Sequence, residues 1–259
     1  MEFDLSEIKL SRNDIKRDLI LPNQSSEELA EFIGILSGDG YINFDPKKYS
    51  YIIDIAGNKI LDKDYLEQYI KNLVKQLFNL DCKIYHKKNE NTACIRILSK
   101  GLFHYLLQLG FKKGKKEQIG VPDWILKDNL LMLSFVKGLV DTDGSLMLIK
   151  KVSRKSDYYP VISIKLKSKI LINQVGYFLR KYSFIANIIE DEIIIDKRGY
   201  NNTKISSLII SGRKNLALWV NILSFRNKKH LDKYHRYIQN IKLRNGADGT
   251  FRNLPKQVF

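Results

Sequence analysis

The chain has 259 residues, 44% of them hydrophobic, which is enough to bury sizeable cores in one large or two compact domains and excludes a disordered chain. Lys and Arg number 44 against 28 Asp and Glu, a net charge of +16 with a sequence pI near 9.6, so the surface attracts a polyanion, and nucleic acid is the leading partner. Only Cys82 and Cys94 occur, with no His or Cys partners at ligand spacing, so neither a zinc site nor a disulfide framework is supported. With no secretory start and no long apolar run, a soluble intracellular protein without a membrane partner is expected, in the cytoplasm or nucleoid of a prokaryote, an organelle being the alternative.

Residues 1–28 read as a charged N-terminal extension. Residues 29–111 form a first unit: an apolar helix from Leu29 to Asp39, strands at Tyr41–Phe44 and Tyr51–Ile55 around the turn at Asp45–Lys48, then a helix from Asp64 to Leu80. A hairpin, Lys83–Lys87 and Ala93–Leu98, and a short helix from Gly101 to Leu109 close the unit. Residues 112–128 are a basic linker ending in the Pro-led stretch Val121-Pro122-Asp123-Trp124-Ile125.

Residues 129–230 repeat the order: a helix ending at Asp143, strands Leu146–Ile149 and Val161–Leu166, a helix Lys169–Lys181, strands Glu192–Asp196 and Lys204–Ile210, and a helix Asn215–Leu223. Residues 231–259 add a basic helix, Leu231–Arg244, and a tail. The expected fold is α+β, two pseudo-symmetric αββαββα halves whose antiparallel sheets carry helices on one face and leave the other open.

Small residues fall four apart in each first helix, Ala30/Gly34/Gly38 in one and Ser134/Gly138/Thr142 in the other, so each forms a stripe with almost no side chain above it. Two such stripes can pack at roughly 8 Å and bring the helix ends together. Asp39 and Asp143 then meet beside the carbonyls of Gly38 and Thr142, at the negative ends of two macrodipoles, an oxygen-rich place that suits a hard divalent cation such as Mg²⁺.

The segments Phe32-Ile33-Gly34-Ile35-Leu36-Ser37-Gly38-Asp39-Gly40 and Val136-Lys137-Gly138-Leu139-Val140-Asp141-Thr142-Asp143-Gly144 resemble the paired motifs of single-chain LAGLIDADG homing endonucleases. The resemblance covers the chain from about Leu29 onward and places the family's catalytic acidic position on Asp39 and Asp143. Ser37 stands where the family name has its first aspartate, a position that does not ligate metal. The resemblance implies motif helices packed at the interface of two halves, sheets forming a DNA-binding saddle, and a monomer that cuts both strands near the centre of a long asymmetric duplex site, leaving short 3′ overhangs. It implies two or three Mg²⁺ ions at the helix interface, held by Asp39, Asp143, Gly38 and Thr142. It also implies a catalytic lysine near each site, for which Lys116, in Lys115-Lys116, and Lys229, in Lys228-Lys229, are the candidates, acting by polarising water or stabilising developing charge.

Alternation on the strands assigns Lys83, Tyr85 and Lys87 to one face, and Ser163, Lys165 and Lys167 to another, where polar side chains could meet base edges in a major groove. Asn43, Arg96 and Lys204 are counted with this DNA-binding surface. Turn lysines and arginines, Lys47, Lys48, Lys88, Lys150, Arg154, Lys155, Lys197 and Arg198, would contact phosphates and position the duplex. Two alternatives stay open on the same scaffold: an RNA maturase whose partner is intron RNA, and a DNA-binding regulator without catalysis. No protein-splicing segments flank the repeats, so a freestanding chain is expected.

Overall fold

The computed structural model describes residues 1–150, 158–195 and 202–245, with side chains as far as residue 241. A short helix α1 (Arg12–Lys16) precedes α2 (Glu27–Asp39), which runs directly into β1 (Gly40–Asp45) and is followed by β2 (Ser50–Asn58). A π-helical turn over Tyr65–Ile70 leads into α3 (Lys71–Phe78), and β3 (Lys83–His86), β4 (Thr92–Leu98) and α4 (Lys100–Gln108) complete the half. A one-turn helix α5 (Asp123–Leu126) in the linker leads to α6 (Asn129–Asp143), again joined directly to its strand, β5 (Gly144–Lys150). The second half continues with β6 (Tyr158–Leu166), α7 (Lys169–Lys181), β7 (Ala186–Ile194), β8 (Thr203–Ser211) and α8 (Arg213–Ile222), and α9 (Lys228–Asn245) follows.

Both sheets are antiparallel and have equivalent strand orders, β1-β2-β4-β3 and β5-β6-β8-β7, so the α+β class and the αββαββα repeat are both present. In the first sheet Ile42, Ile53, Ile55, Ile95 and Ile97 point to the helices and are buried. In the second, Leu146, Ile162, Ile164, Leu208 and Ile210 do the same. Side-chain caps start the principal helices: Ser26 accepts from the Leu29 amide at the head of α2, and Asp128 accepts from the Leu130 and Leu131 amides at the head of α6.

Three elements differ from the sequence reading. Strand β7 begins at Ala186, six residues before the expected Glu192, because a bulge between Ile189 and Glu192, with Asp191 at φ 53°, breaks the alternation that marks a strand. Helix α9 begins at Lys228 and so takes Lys229 into its first turn. The N-terminal segment is packed against the fold: Phe3 lies edge-on to Tyr105 and Trp124. Asp14 is fully buried and accepts from the Ser99 hydroxyl at 2.7 Å and the Gly101 amide at 3.0 Å. Burial works to raise the Asp14 pKa, but hydrogen bonds from Ser11, Ser99 and Gly101 together hold it below the ordinary value.

Both cysteines are free and buried, and burial pushes the Cys82 thiol up to about 11, far from a reactive thiolate. Among the described residues no helix is long and apolar enough to cross a membrane.

Candidate active site at the helix seam

Helices α2 and α6 cross along their small-residue stripes. A Cβ at Gly34 would sit on the carbonyl oxygen of Phe135, one at Gly138 on the carbonyl of Glu31, and one at Gly38 on the Thr142 hydroxyl. Nothing larger than glycine fits at the first two positions without moving backbone. The hydroxyls of Ser37 and Thr142 turn back onto their own helices, donating to Ile33 O at 2.8 Å and Gly138 O at 3.0 Å, and the Thr142 side chain fills the space that Gly38 leaves open.

The glycines after the two aspartates are extended, not turned: Gly40 has φ −80°, ψ 157° and Gly144 φ −80°, ψ 163°. Each is glycine because a Cβ would collide with the carbonyl four residues earlier, that of Leu36 or Val140. The helices therefore pass straight into strands, and the last helical residues, Asp39 and Asp143, lie close enough for each carboxyl group to act on the other. Burial, then the neighbouring Asp143 carboxylate, pushes Asp39 up to about 7, with Lys229 and Lys116 opposing the shift. Burial likewise raises Asp143 against the pull of Lys116 and Lys229. Two carboxylates this close do not both ionise without a cation between them.

That chemistry fits a hard divalent ion. Among the described residues no group of three or more His, Cys, Asp and Glu could hold a metal. Two carboxylates alone suit Mg²⁺, which binds through one or two carboxylates and completes its shell with water and substrate phosphate oxygens.

Each site carries one lysine. The Lys116 ammonium donates to the carbonyls of Leu36 at 3.0 Å and Ser37 at 3.3 Å, and to that of Gly38. Lys229 donates to Thr142 O at 3.1 Å and pairs with Asp62 at 3.0 Å. The carbonyls of Gly38 and Thr142, expected as metal ligands, are thus engaged by lysine ammonium groups, which cover the unpaired carbonyls at the helix ends. Burial lowers the Lys116 pKa, with Asp143 and Asp39 working the other way. Of their neighbours, Lys115 is exposed and Lys228 turns to Asp64 at 3.5 Å.

The lysine segments are anchored across the pseudo-symmetry. The loop after Lys116 docks on the start and first turns of α7, where the Ser168 hydroxyl donates to Ile119 O at 2.5 Å and Gln174 Oε1 accepts from the Val121 amide at 2.8 Å. The Lys229 turn docks on the start of the α3 region: Asp62 accepts from Asn227 Nδ2 at 2.7 Å as well as from Lys229, and its other oxygen accepts from the Asn58 amide at 2.8 Å. Asp141 joins this cluster. Its carboxyl accepts from the backbone amides of Arg226 and Asn227 at 3.0 to 3.2 Å, and burial raises it to about 7 despite those bonds. Asp62, Asn227, Ser168 and Gln174 were not among the residues expected from sequence. They lie far from the motifs in the chain, and the only local hint was Asn227 standing just before the lysine pair.

Residues 131–239 match the family model described as a LAGLIDADG-like domain. The chain is similar in fold to the homing endonuclease I-DmoI in complex with DNA and Ca, with TM-score 0.54 and 20% identity over 81% of this chain and 98% of that one. It is similar also to the I-LtrWI LAGLIDADG homing endonuclease bound to target DNA, with TM-score 0.53 and 15% identity over 85% of this chain and 91% of that one. In sequence it is 28% identical over 179 residues to an uncharacterized protein of Methanocaldococcus jannaschii, covering 68% of this chain and 62% of the relative. The replication factor C small subunit of the same organism is 28% identical over 83% of this chain, a match that spans 10% of the relative's own length. For a component of the A-type ATP synthase of Pyrococcus abyssi the identity is 28% and the match spans 76% of this chain and 17% of that protein.

Between the two halves a cleft of about 220 Å³ opens beside Asp143, lined by Ser37, Lys116, Lys165, Lys167 and Ser168 among others. On the open faces the structure places Asn43, Lys83, Tyr85 and Arg96 in the first sheet and Lys165 in the second, with Lys87 and Lys167 just beyond strand ends in the same phase. Lys47, Lys48 and Lys88 are exposed at turns.

Several assignments change. Arg96 is not a free donor: it grips Asp54 at 2.6 and 2.8 Å, and Lys87 pairs with Glu90 at 3.4 Å. Ser163 is buried. Lys204 is in phase with Leu208 and Ile210, and Lys150 with Leu146 and Leu148, so both sit on the helix side of the second sheet, Lys150 over the Tyr158 ring. Arg154, Lys155, Lys197 and Arg198 lie outside the described residues.

Proposed function

We propose that the chain is a divalent-metal-dependent, site-specific DNA endonuclease of the homing type. The observation that carries this reading is the meeting of Asp39 and Asp143 at the ends of two crossed helices, each site with one lysine against the adjoining carbonyls. Asp39 and Asp143 would hold the cation, and relief of their mutual repulsion in a buried place is the force that draws it in. Bound there, such a cation supplies charge stabilisation and an activated water for phosphodiester hydrolysis. Lys116 and Lys229 present fixed positive charge beside each carboxylate, where a phosphate in flight would gain negative charge. That I-DmoI has been crystallised in complex with DNA and Ca, and with DNA and Mn, supports both the partner and the class of metal.

On this reading the protein acts as a monomer, uses two or three Mg²⁺ ions, cuts both strands of a long asymmetric site and leaves 3′ overhangs. Relatives of which the matched stretch is only 10% or 17% of the length fit a unit carried inside other genes, as a mobile intron or intein element is. A regulator that had shed its chemistry would not need both aspartates and both lysines, and nothing specific favours intron RNA as the partner.

The test is to incubate the protein with Mg²⁺ and either a randomised duplex library or a rejoined insertion locus, and to sequence the ends. Discrete double-strand cuts are expected, abolished by Asp39→Asn or by Asp143→Asn while duplex binding survives. Substantial cutting by either variant sinks the assignment.

A further inference from the structure

The two strands that leave the reaction centre carry different chemistry at matching positions. Two, four and six residues beyond Asp39 the open face presents Tyr41, Asn43 and Asp45, and at the same steps beyond Asp143 it presents Ser145, Met147 and Ile149. Met147 and Ile149 are 37% and 46% exposed on a strand whose opposite side, at Leu146, is fully buried. Their cross-strand partners on that face are Val161 and Tyr159, and the serines in its centre, Ser163 and Ser207, are 5% and 1% exposed, too deep to reach a base edge.

We propose that the second half reads its half-site through thymine, with Met147 and Ile149 packed on C5 methyl groups in the major groove, while the first half reads by hydrogen bonds centred on Asn43. This rests on the endonuclease reading. Apolar contact with the thymine methyl is the major-groove signal that such side chains can detect. Alternate strand residues stand about 6.6 Å apart, close to two base-pair steps, so the two side chains sample positions two steps apart along the groove. The occupant is fixed by continuity and charge. Strand β5 starts at the residue after Asp143, and Lys165 and Lys167, which line the cleft with Asp143, supply phosphate partners on the same face. Exposed isoleucine and methionine flanked by lysine match a surface that covers apolar groups held between two phosphate chains.

The experiment selects bound duplexes from a randomised pool with the full chain, then measures binding of the selected duplex with deoxyuridine replacing thymine in one half-site at a time, a change that removes only the methyl. The expected result is thymine at fixed positions in one half-site, about a fourfold weakening for each methyl removed there, and no change in the other half-site. In the variant M147S/I149S the thymine preference and the deoxyuridine effect at those positions both vanish, whereas Asn43→Ala alters selection in the opposite half-site. Equal tolerance of deoxyuridine everywhere, or an effect that persists in M147S/I149S, overturns the proposal while leaving the endonuclease reading intact. Failure to select any duplex overturns both.

Discussion

Lys116 and Lys229 occupy equivalent places at the two helix ends, yet they are held by different means. Lys229 is tied by a carboxylate, Asp62, itself fixed by Asn227 and the Asn58 amide, and its turn is clamped again by Asp141. Lys116 has carbonyls and the paired aspartates for company, and its loop is docked through neutral groups, Ser168 and Gln174. The motif position that is Asp141 in one half is Ser37 in the other, whose hydroxyl serves only its own helix. Pseudo-symmetry thus preserved where the cations stand but not how firmly each is charged and anchored.

The largest effect should fall on what the halves share. Gly34→Ala and Gly138→Ala each drive a methyl into the partner helix's backbone and should cost about 3 kcal/mol apiece, seen as a matching loss in chemical denaturation midpoints. A large difference between them would show the seam to be less symmetric than its geometry. Next, Lys116→Met and Lys229→Met should each slow one strand's cut on the order of 10²-fold and leave the other, so that nicked circles accumulate with opposite strands broken. Equal slowing of both strands by either variant would mean that the sites are pooled.

Asp62→Asn sharpens the contrast further. It removes the charge that anchors Lys229 and nothing that touches Lys116, so about a tenfold slowing confined to the strand that Lys229 serves is expected, with unchanged duplex affinity. The gentlest effect is on pH. Asp39 holds its proton up to about 7 in the folded chain against 3.8 for an ordinary aspartate, so the unfolded chain releases it first. Metal-free stability from this group should therefore fall as pH rises from about 4 to 7, and the gain in melting temperature on adding Mg²⁺ should grow over the same range. A Mg²⁺ increment that is flat with pH would break the assignment of the pair as the cation site.

Much of this was legible because it is periodic. The four-residue spacing of Ala30, Gly34 and Gly38 predicts a close helix contact, and the repeat of apolar alternation predicts both sheets; Lys116 and Lys229 follow from resemblance and do reach the helix ends. What escaped depends on contacts between distant segments. Asp62 meets Lys229 only because the second half docks on the first, and no local pattern records that. Lys150 and Lys204 read as turn and face residues until the register assigns them to the other side. The charged N-terminal segment hides a single buried carboxylate, Asp14, whose value lies in the helix it caps.

The loopless junctions at Gly40 and Gly144 make each half a single lever, with the aspartate and the open-face strand positions proposed to read DNA on one stiff piece. If a duplex lies on the open faces, a base pair that does not seat against Asn43 or Met147 displaces the strand and, with no slack in between, the carboxylate four residues earlier. Proofreading of the central base pairs would then be mechanical: a poor fit is held but not cut, and altering the nearest reading positions means re-aligning the blade.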